Sequence, residues 1–114
     1  MTPLTIDSEE HGGTTLLVLR GDLELNAAPD LREALVGVID ERARIVVDME
    51  AVDFLDSAGL GILVGGLRRA REHDGDLELV CSSRAVLRPL ELTGLDRAFT
   101  IHRARDTALE DRGT

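Results

Sequence analysis

The sequence predicts a small α/β domain: a mixed, mostly parallel sheet of about five strands with about four helices. Three observations carry this expectation. Short runs rich in Leu, Val and Ile alternate with segments of helical periodicity. The first two runs are separated only by the turn signal His11-Gly12-Gly13 and should pair as an antiparallel hairpin, whereas the later ones are separated by helices and should pair in parallel. Apolar residues make up 43% of the 114-residue chain and aromatic residues only 2%, so a single core must be built from Leu, Val, Ile and Ala. The chain is read as one domain over residues 1–114, with 106–114 a short C-terminal helix that frays.

Taken in order, Leu4 to Asp7 is a short first strand. Thr15-Leu16-Leu17-Val18-Leu19, bounded by Gly13 and Gly21, is the second, and Gly21-Asp22-Leu23-Glu24-Leu25 leads on into a loop. Asn26 is placed to cap the first helix. Pro29 suits its first turn, and Asp30 and Glu33 favour its positive end. Leu31, Leu35, Val38 and Ile39 form its apolar stripe, which Gly37 weakens. Arg44-Ile45-Val46-Val47-Asp48 reads as a central strand. Ser57 opens the next helix as a cap, a role that Asp56 could also fill, and Leu60, Leu63, Val64 and Leu67 repeat at helical spacing up to the stop at Asp74-Gly75. Leu77 to Cys81 is another strand. Ser82 or Ser83 caps a third helix that ends at Thr93-Gly94 and that Pro89 should kink or shorten. Phe99-Thr100-Ile101 is the last strand, and a terminal helix covers Thr107 to Asp111.

Charge and composition exclude several functions. A net charge of −9 opposes contact with a phosphate backbone, and two Phe with no Tyr or Trp give no stacking platform, so no nucleic-acid partner is expected. Cys81 is the only cysteine, which rules out an internal disulfide. No apolar run approaches the roughly 20 residues that span a bilayer, and the N-terminal residues lack the pattern of a signal peptide. The protein is expected to be cytoplasmic, with no membrane partner. His11, His73 and His102 fall in turns or near element ends, where they should be solvated; their spacing suggests no metal site, and no cofactor is expected. Arg68, Arg69 and Arg71 read as the wet face of their helix, and Cys81 as a small buried hydrophobe.

Chemistry concentrates at one place. In Val52-Asp53-Phe54-Leu55-Asp56-Ser57-Ala58-Gly59-Leu60-Gly61-Ile62-Leu63, a buried strand turns sharply into a helix, with a carboxylate and a hydroxyl at the junction. That junction lies at the carboxyl end of the sheet, where open α/β folds place their sites, and a helix N-terminus accommodates an added phosphate. Leu55-Asp56-Ser57-Ala58-Gly59 lacks the first Gly of a nucleophile elbow. Val64 stands where a dinucleotide fingerprint needs its third Gly, and no Gly-Lys-Ser/Thr loop is present. The helix also carries Gly59, Gly61, Gly65 and Gly66, each costing about 1 kcal/mol relative to Ala in a helix interior. Close packing on the sheet and close approach of a partner explain these glycines equally well.

Asp56-Ser57-Ala58-Gly59-Leu60-Gly61-Ile62-Leu63 resembles the signature of the anti-sigma-factor antagonists, which carry the STAS domain. Gly21-Asp22-Leu23-Glu24, Ile45-Val46-Val47-Asp48 and Leu92-Thr93-Gly94-Leu95 are similar to that family's acidic loop, central strand and closing turn, so the resemblance covers almost the whole chain. It implies that Ser57 is phosphorylated by an anti-sigma factor, a serine kinase with a histidine-kinase-like ATPase fold, and that a phosphoserine phosphatase reverses this. The bare form would bind the anti-sigma factor and free a sigma factor; the phosphorylated form would release it. The implied partner-binding residues are Asp56, Ser57, Ala58, Gly59 and Gly61, with Asp22 and Glu24 from the loop. Ala58 stands where a second hydroxyl is common, Glu24 where Asp is usual, and Pro89 is unusual in the third helix. On this reading the protein is a substrate and not an enzyme. The alternatives are a scaffold subunit of a larger signalling complex and, less favoured, a small nucleotide-binding or enzymatic domain.

Overall fold

The computed structural model describes residues 2–110. The order is β1 (Thr5–His11), β2 (Thr14–Leu23), α1 (Ala28–Val38), β3 (Arg44–Leu55), α2 (Ser57–Glu72), β4 (Asp76–Val80), α3 (Arg84–Thr93), β5 (Ile101–His102) and α4 (Arg105–Leu109), with a 3₁₀ turn over Leu95–Arg97. The strands lie side by side in chain order. β1 runs antiparallel to β2, and every later pair is parallel. This is the expected mixed sheet.

Period-two alternation sorts the strands onto two faces. Leu17, Leu19, Ile45, Val47, Leu77, Leu79 and Cys81 point to the first face, where they pack under Leu31 and Leu35 of α1, Leu60, Leu63 and Leu67 of α2, and Val86, Leu87 and Leu90 of α3. Burial there pushes the Cys81 thiol up to about 11. On the opposite face Leu16, Val18, Val46 and Val80 pack with Ala108 and Leu109 of α4. That face also buries two carboxylates, Asp48 and Glu78. Arg44 forks onto Glu78 with Nε at 3.1 Å and Nη2 at 2.9 Å, and Arg105 Nε donates to Asp48 at 2.8 Å. His102 Nε2 lies 2.7 Å from Glu78 Oε1, with the imidazole only 11% exposed. His102 was expected in solvent; the sheet instead draws it in against a buried acid. His11 and His73 remain more open, beside Glu9 and Glu41.

Several boundaries differ from the sequence expectation. β2 continues through Gly21-Asp22-Leu23, expected as loop, because these residues pair, across a shift of register between Gly21 and Asp22, with Val52, Phe54 and Leu55 of a β3 that itself runs past Asp48. Long-range pairing overrides the local turn signal there. Gly21 has φ 103°, and a Cβ on it would collide with the carbonyl of Pro3. Asn26 is exposed and caps nothing: Ala27 is the N-cap residue of α1, and no side chain caps it. Glu24 organises the turn instead, its carbonyl accepting from the Ala27 and Ala28 N–H groups and its carboxylate from Asn26 N–H at 3.1 Å. Pro89 sits inside α3 without ending it, and Gly94 closes that helix at φ 76°. Phe99 is a buried core residue, and the last strand begins at Ile101, after it. α4 starts at Arg105, earlier than expected; the expected end at Asp111 lies outside the described residues.

Candidate functional site

β3 delivers its last residue, Leu55, into the core, and the chain turns at Asp56 into α2. Asp56, not Ser57, is the cap. Its backbone is extended at φ −103°, ψ −178°, and its Oδ1 accepts from Gly59 N–H at 2.9 Å, satisfying one of the helix's unpaired donors. The other oxygen, Oδ2, accepts from Leu25 N–H at 3.1 Å, so the carboxylate stitches the β2–α1 loop to the start of α2. The Asp56 N–H donates to the Leu23 carbonyl.

With Asp56 so engaged, Ser57 stands exposed at the first helical position, its side chain unbonded to any described residue. Helical spacing puts Ser57, Gly61, Val64, Gly65 and Arg68 on one stripe of α2, and with Leu95 beyond α3 they line a shallow groove. Ala58 is half-buried beside Ser57, and Gly59 is buried.

The four glycines of α2 divide cleanly. A Cβ on Gly59 would sit 2.7 Å from the Leu23 carbonyl oxygen, and one on Gly66 would sit 3.0 Å from Leu35 Cδ1 and 3.1 Å from Leu77 Cδ1. Gly59 is therefore demanded by the backbone of β2, and Gly66 packs tightly against side chains of α1 and β4. A Cβ on Gly61 or Gly65 would meet nothing within 4 Å. Those two leave the backbone of α2 bare on its outer side.

The structure thus gathers Asp56, Ser57, Ala58, Gly59 and Gly61 at one helix end, and the hydrogen bond from Leu25 brings the loop carrying Glu24 alongside. Asp22 is different. It is 9% exposed, its Oδ2 accepts from Thr2 N–H at 3.1 Å, and its own N–H donates to the Thr2 carbonyl. Its side chain holds the N-terminal segment against β2. Leu25, 67% exposed beside Asp56, was not singled out by sequence reasoning, and nothing local distinguishes it from any loop leucine. Arg68, expected on the wet face of its helix, shares one stripe with Ser57 by helical spacing.

A model of the STAS domain matches residues 5–108. The chain belongs to the STAS domain family. This STAS domain is similar to the anti-sigma-B factor antagonist of Bacillus subtilis (strain 168), with 28% identity over 92 residues, covering 81% of this chain and 84% of that one. It is similar to the anti-sigma-F factor antagonist RsfB of Mycobacterium tuberculosis (strain ATCC 25618 / H37Rv), with 31% identity over 107 residues, covering 93% of this chain and 87% of the relative. Among solved structures, an anti-sigma factor antagonist from Mycobacterium paratuberculosis superposes with a TM-score of 0.85 at 32% identity, covering 96% of each chain. No described helix of this STAS domain is long and apolar enough to cross a membrane.

Proposed function

We propose that this STAS domain is an anti-sigma-factor antagonist switched by phosphorylation at Ser57. The bare protein binds an anti-sigma factor of the histidine-kinase-like serine kinase class and so frees a sigma factor. Phosphate on Ser57 ends that binding, and a phosphoserine phosphatase restores it. The observation that carries the reading is the exposed, unbonded Ser57 at the start of a helix whose cap is supplied by its neighbour Asp56. Similarity to antagonists over most of the chain supports the same reading.

The chemistry is that of a substrate. An autonomous serine nucleophile needs a base within hydrogen-bond reach, and the Asp56 carboxylate is already committed to two backbone N–H groups. The hydroxyl therefore waits for a base and a phosphoryl donor brought by another protein. Added phosphate contributes about −1.5 to −2 charges beside Asp56 at a helix end that favours anions, so the fold tolerates it while a surface built against a neutral hydroxyl does not.

The test is incubation of the purified protein with purified histidine-kinase-like anti-sigma factors of the same genome and ATP, followed by mass mapping. One phosphate on Ser57 is expected with the cognate kinase, and none in Ser57→Ala. Undiminished incorporation in that variant would overturn the assignment.

A further inference from the structure

We propose that the groove between α1 and α2 receives an acidic amphipathic helix of the anti-sigma factor. This rests on the antagonist reading above and adds to it a second docking surface and the chemistry of its occupant. The groove is walled by Arg32 and Val36 from α1, by Ile39 just past its end, and by Gly61, Ile62 and Arg69 from α2. Its volume is about 180 Å³, below the roughly 300–1,000 Å³ of sites that enclose a small ligand or cofactor. It suits a row of side chains projecting from a helix laid along it. Val36 is 52% exposed, and Gly61 and Gly65 leave open space above the α2 backbone, so a helix can approach closely.

Charge selects the occupant. Among the described residues the groove's charged walls are guanidinium alone: Arg32 and Arg69 make no ion pair or hydrogen bond with any of them, and no described carboxylate lines the groove. This occurs on a chain whose net charge is −9, so the cations form a local field opposite to that of the whole. A partner that fills the groove must bring carboxylates to pair them. The groove is also continuous with the proposed switch, since Gly61 and Gly65 line the shallow groove that holds Ser57 and Arg68. Ser57 to Arg69 spans about 18 Å of helix, or three turns of a partner lying alongside. An acidic occupant near Ser57 would meet added phosphate as a like charge, which ties this surface to release.

The test uses the full chain and the anti-sigma factor that phosphorylates it. Both guanidiniums are exposed, so Arg32→Glu/Arg69→Glu should keep the circular dichroism and melting temperature of the parent. Its affinity for the anti-sigma factor should fall by about tenfold or more, and reversing a carboxylate on the partner helix to Arg should recover it. A photoreactive label on Val36→Cys should cross-link to an acidic helix of the anti-sigma factor, because the native Cys81 is buried and will not compete for label. Unchanged affinity in the double variant, with the parent still binding, would overturn the groove and leave the antagonist reading standing. A cross-link to a second copy of this chain would overturn it in favour of self-association. Failure of the parent to bind any histidine-kinase-like anti-sigma factor of the same genome would remove the antagonist reading and this proposal with it.

Discussion

At the scale of single residues, the division of labour between Asp56 and Ser57 sets what the proposed switch can do. Asp56 carries the structural duty of a cap and a loop stitch, which leaves Ser57 chemically idle and open to modification. Phosphorylation should therefore change folding stability by no more than about 1 kcal/mol in either direction, because the dipole of α2 favours the phosphate while Asp56 opposes it. At a docked interface the same charge would be desolvated without a partner, at a cost of about 3–5 kcal/mol, or about two to four orders of magnitude in affinity. Phospho-Ser57, and Ser57→Asp as an imperfect mimic, should thus lose the anti-sigma factor in calorimetry while thermal melts hardly move. Unfolding on phosphorylation would contradict this account. Cys81 offers a second residue-scale test. Burial raises its thiol to about 11, so the thiolate is scarce below that pH in the folded chain. The unfolded thiol titrates near its ordinary 9.0, so the raised value adds stability below about pH 9 that is lost as the pH climbs from there towards 11. Alkylation at pH 8 should be far slower than for a free thiol and should accelerate in denaturant.

At the scale of elements, α2 reconciles two demands through its glycines. The inner pair, Gly59 and Gly66, lets the helix settle on β2, β4 and α1; the outer pair, Gly61 and Gly65, contributes nothing to that packing. Opposite consequences follow from the same substitution. Gly59→Ala drives a methyl against the Leu23 carbonyl and should destabilise by about 1–3 kcal/mol. Gly61→Ala adds a methyl in open space and should stabilise by up to about 1 kcal/mol through helix propensity, yet weaken binding to the anti-sigma factor by crowding the bare backbone. Denaturant melts and a binding isotherm on the two variants check both halves. A Gly61→Ala protein that is both more stable and equally tight would exclude a partner from this face of the helix. The sequence showed that α2 carries more glycine than its stability favours; only the packing showed which glycines answer to the fold.

At the scale of the whole molecule, the face of the sheet away from α1, α2 and α3 is held by ionic links that join distant parts of the chain. Arg44 of β3 reaches Glu78 of β4, Thr14 Oγ1 of β2 at 3.0 Å and the Ala108 carbonyl of α4, and Glu78 also meets His102 of β5. Arg105, at the start of α4, ties that helix to Asp48. Removing one member of a buried ion pair takes away the charge that offsets the other's desolvation, so Arg44→Ala, which strips the guanidinium from Glu78 and leaves it His102, should cost about 3 kcal/mol. Replacing both members, as in Arg44→Met/Glu78→Leu, should cost much less than the sum of the single changes. Chemical denaturation of the three variants measures the coupling, and simple additivity would show that the pair contributes no stability of its own.

The sequence by itself determined the class of fold, the order of its elements and the strand-to-helix junction that sets Asp56 beside Ser57. Those follow from local signals: hydrophobic periods of two and 3.6, glycine turns, and a carboxylate and hydroxyl where a strand turns into a helix. It did not determine where β2 and β3 end, because those residues are strand only by virtue of hydrogen bonds to each other across the sheet. It placed the first cap on Asn26 and left the second open between Ser57 and Asp56, since cap preference says which residue types suit the role and not which side chain reaches a free N–H. His102 reads as solvated from its position near an element end, and only the neighbouring strand supplies Glu78. The groove between α1 and α2 lay beyond the sequence altogether. Arg32 and Arg69 are far apart along the chain, and it is the docking of two helices on one sheet face that brings both to one groove.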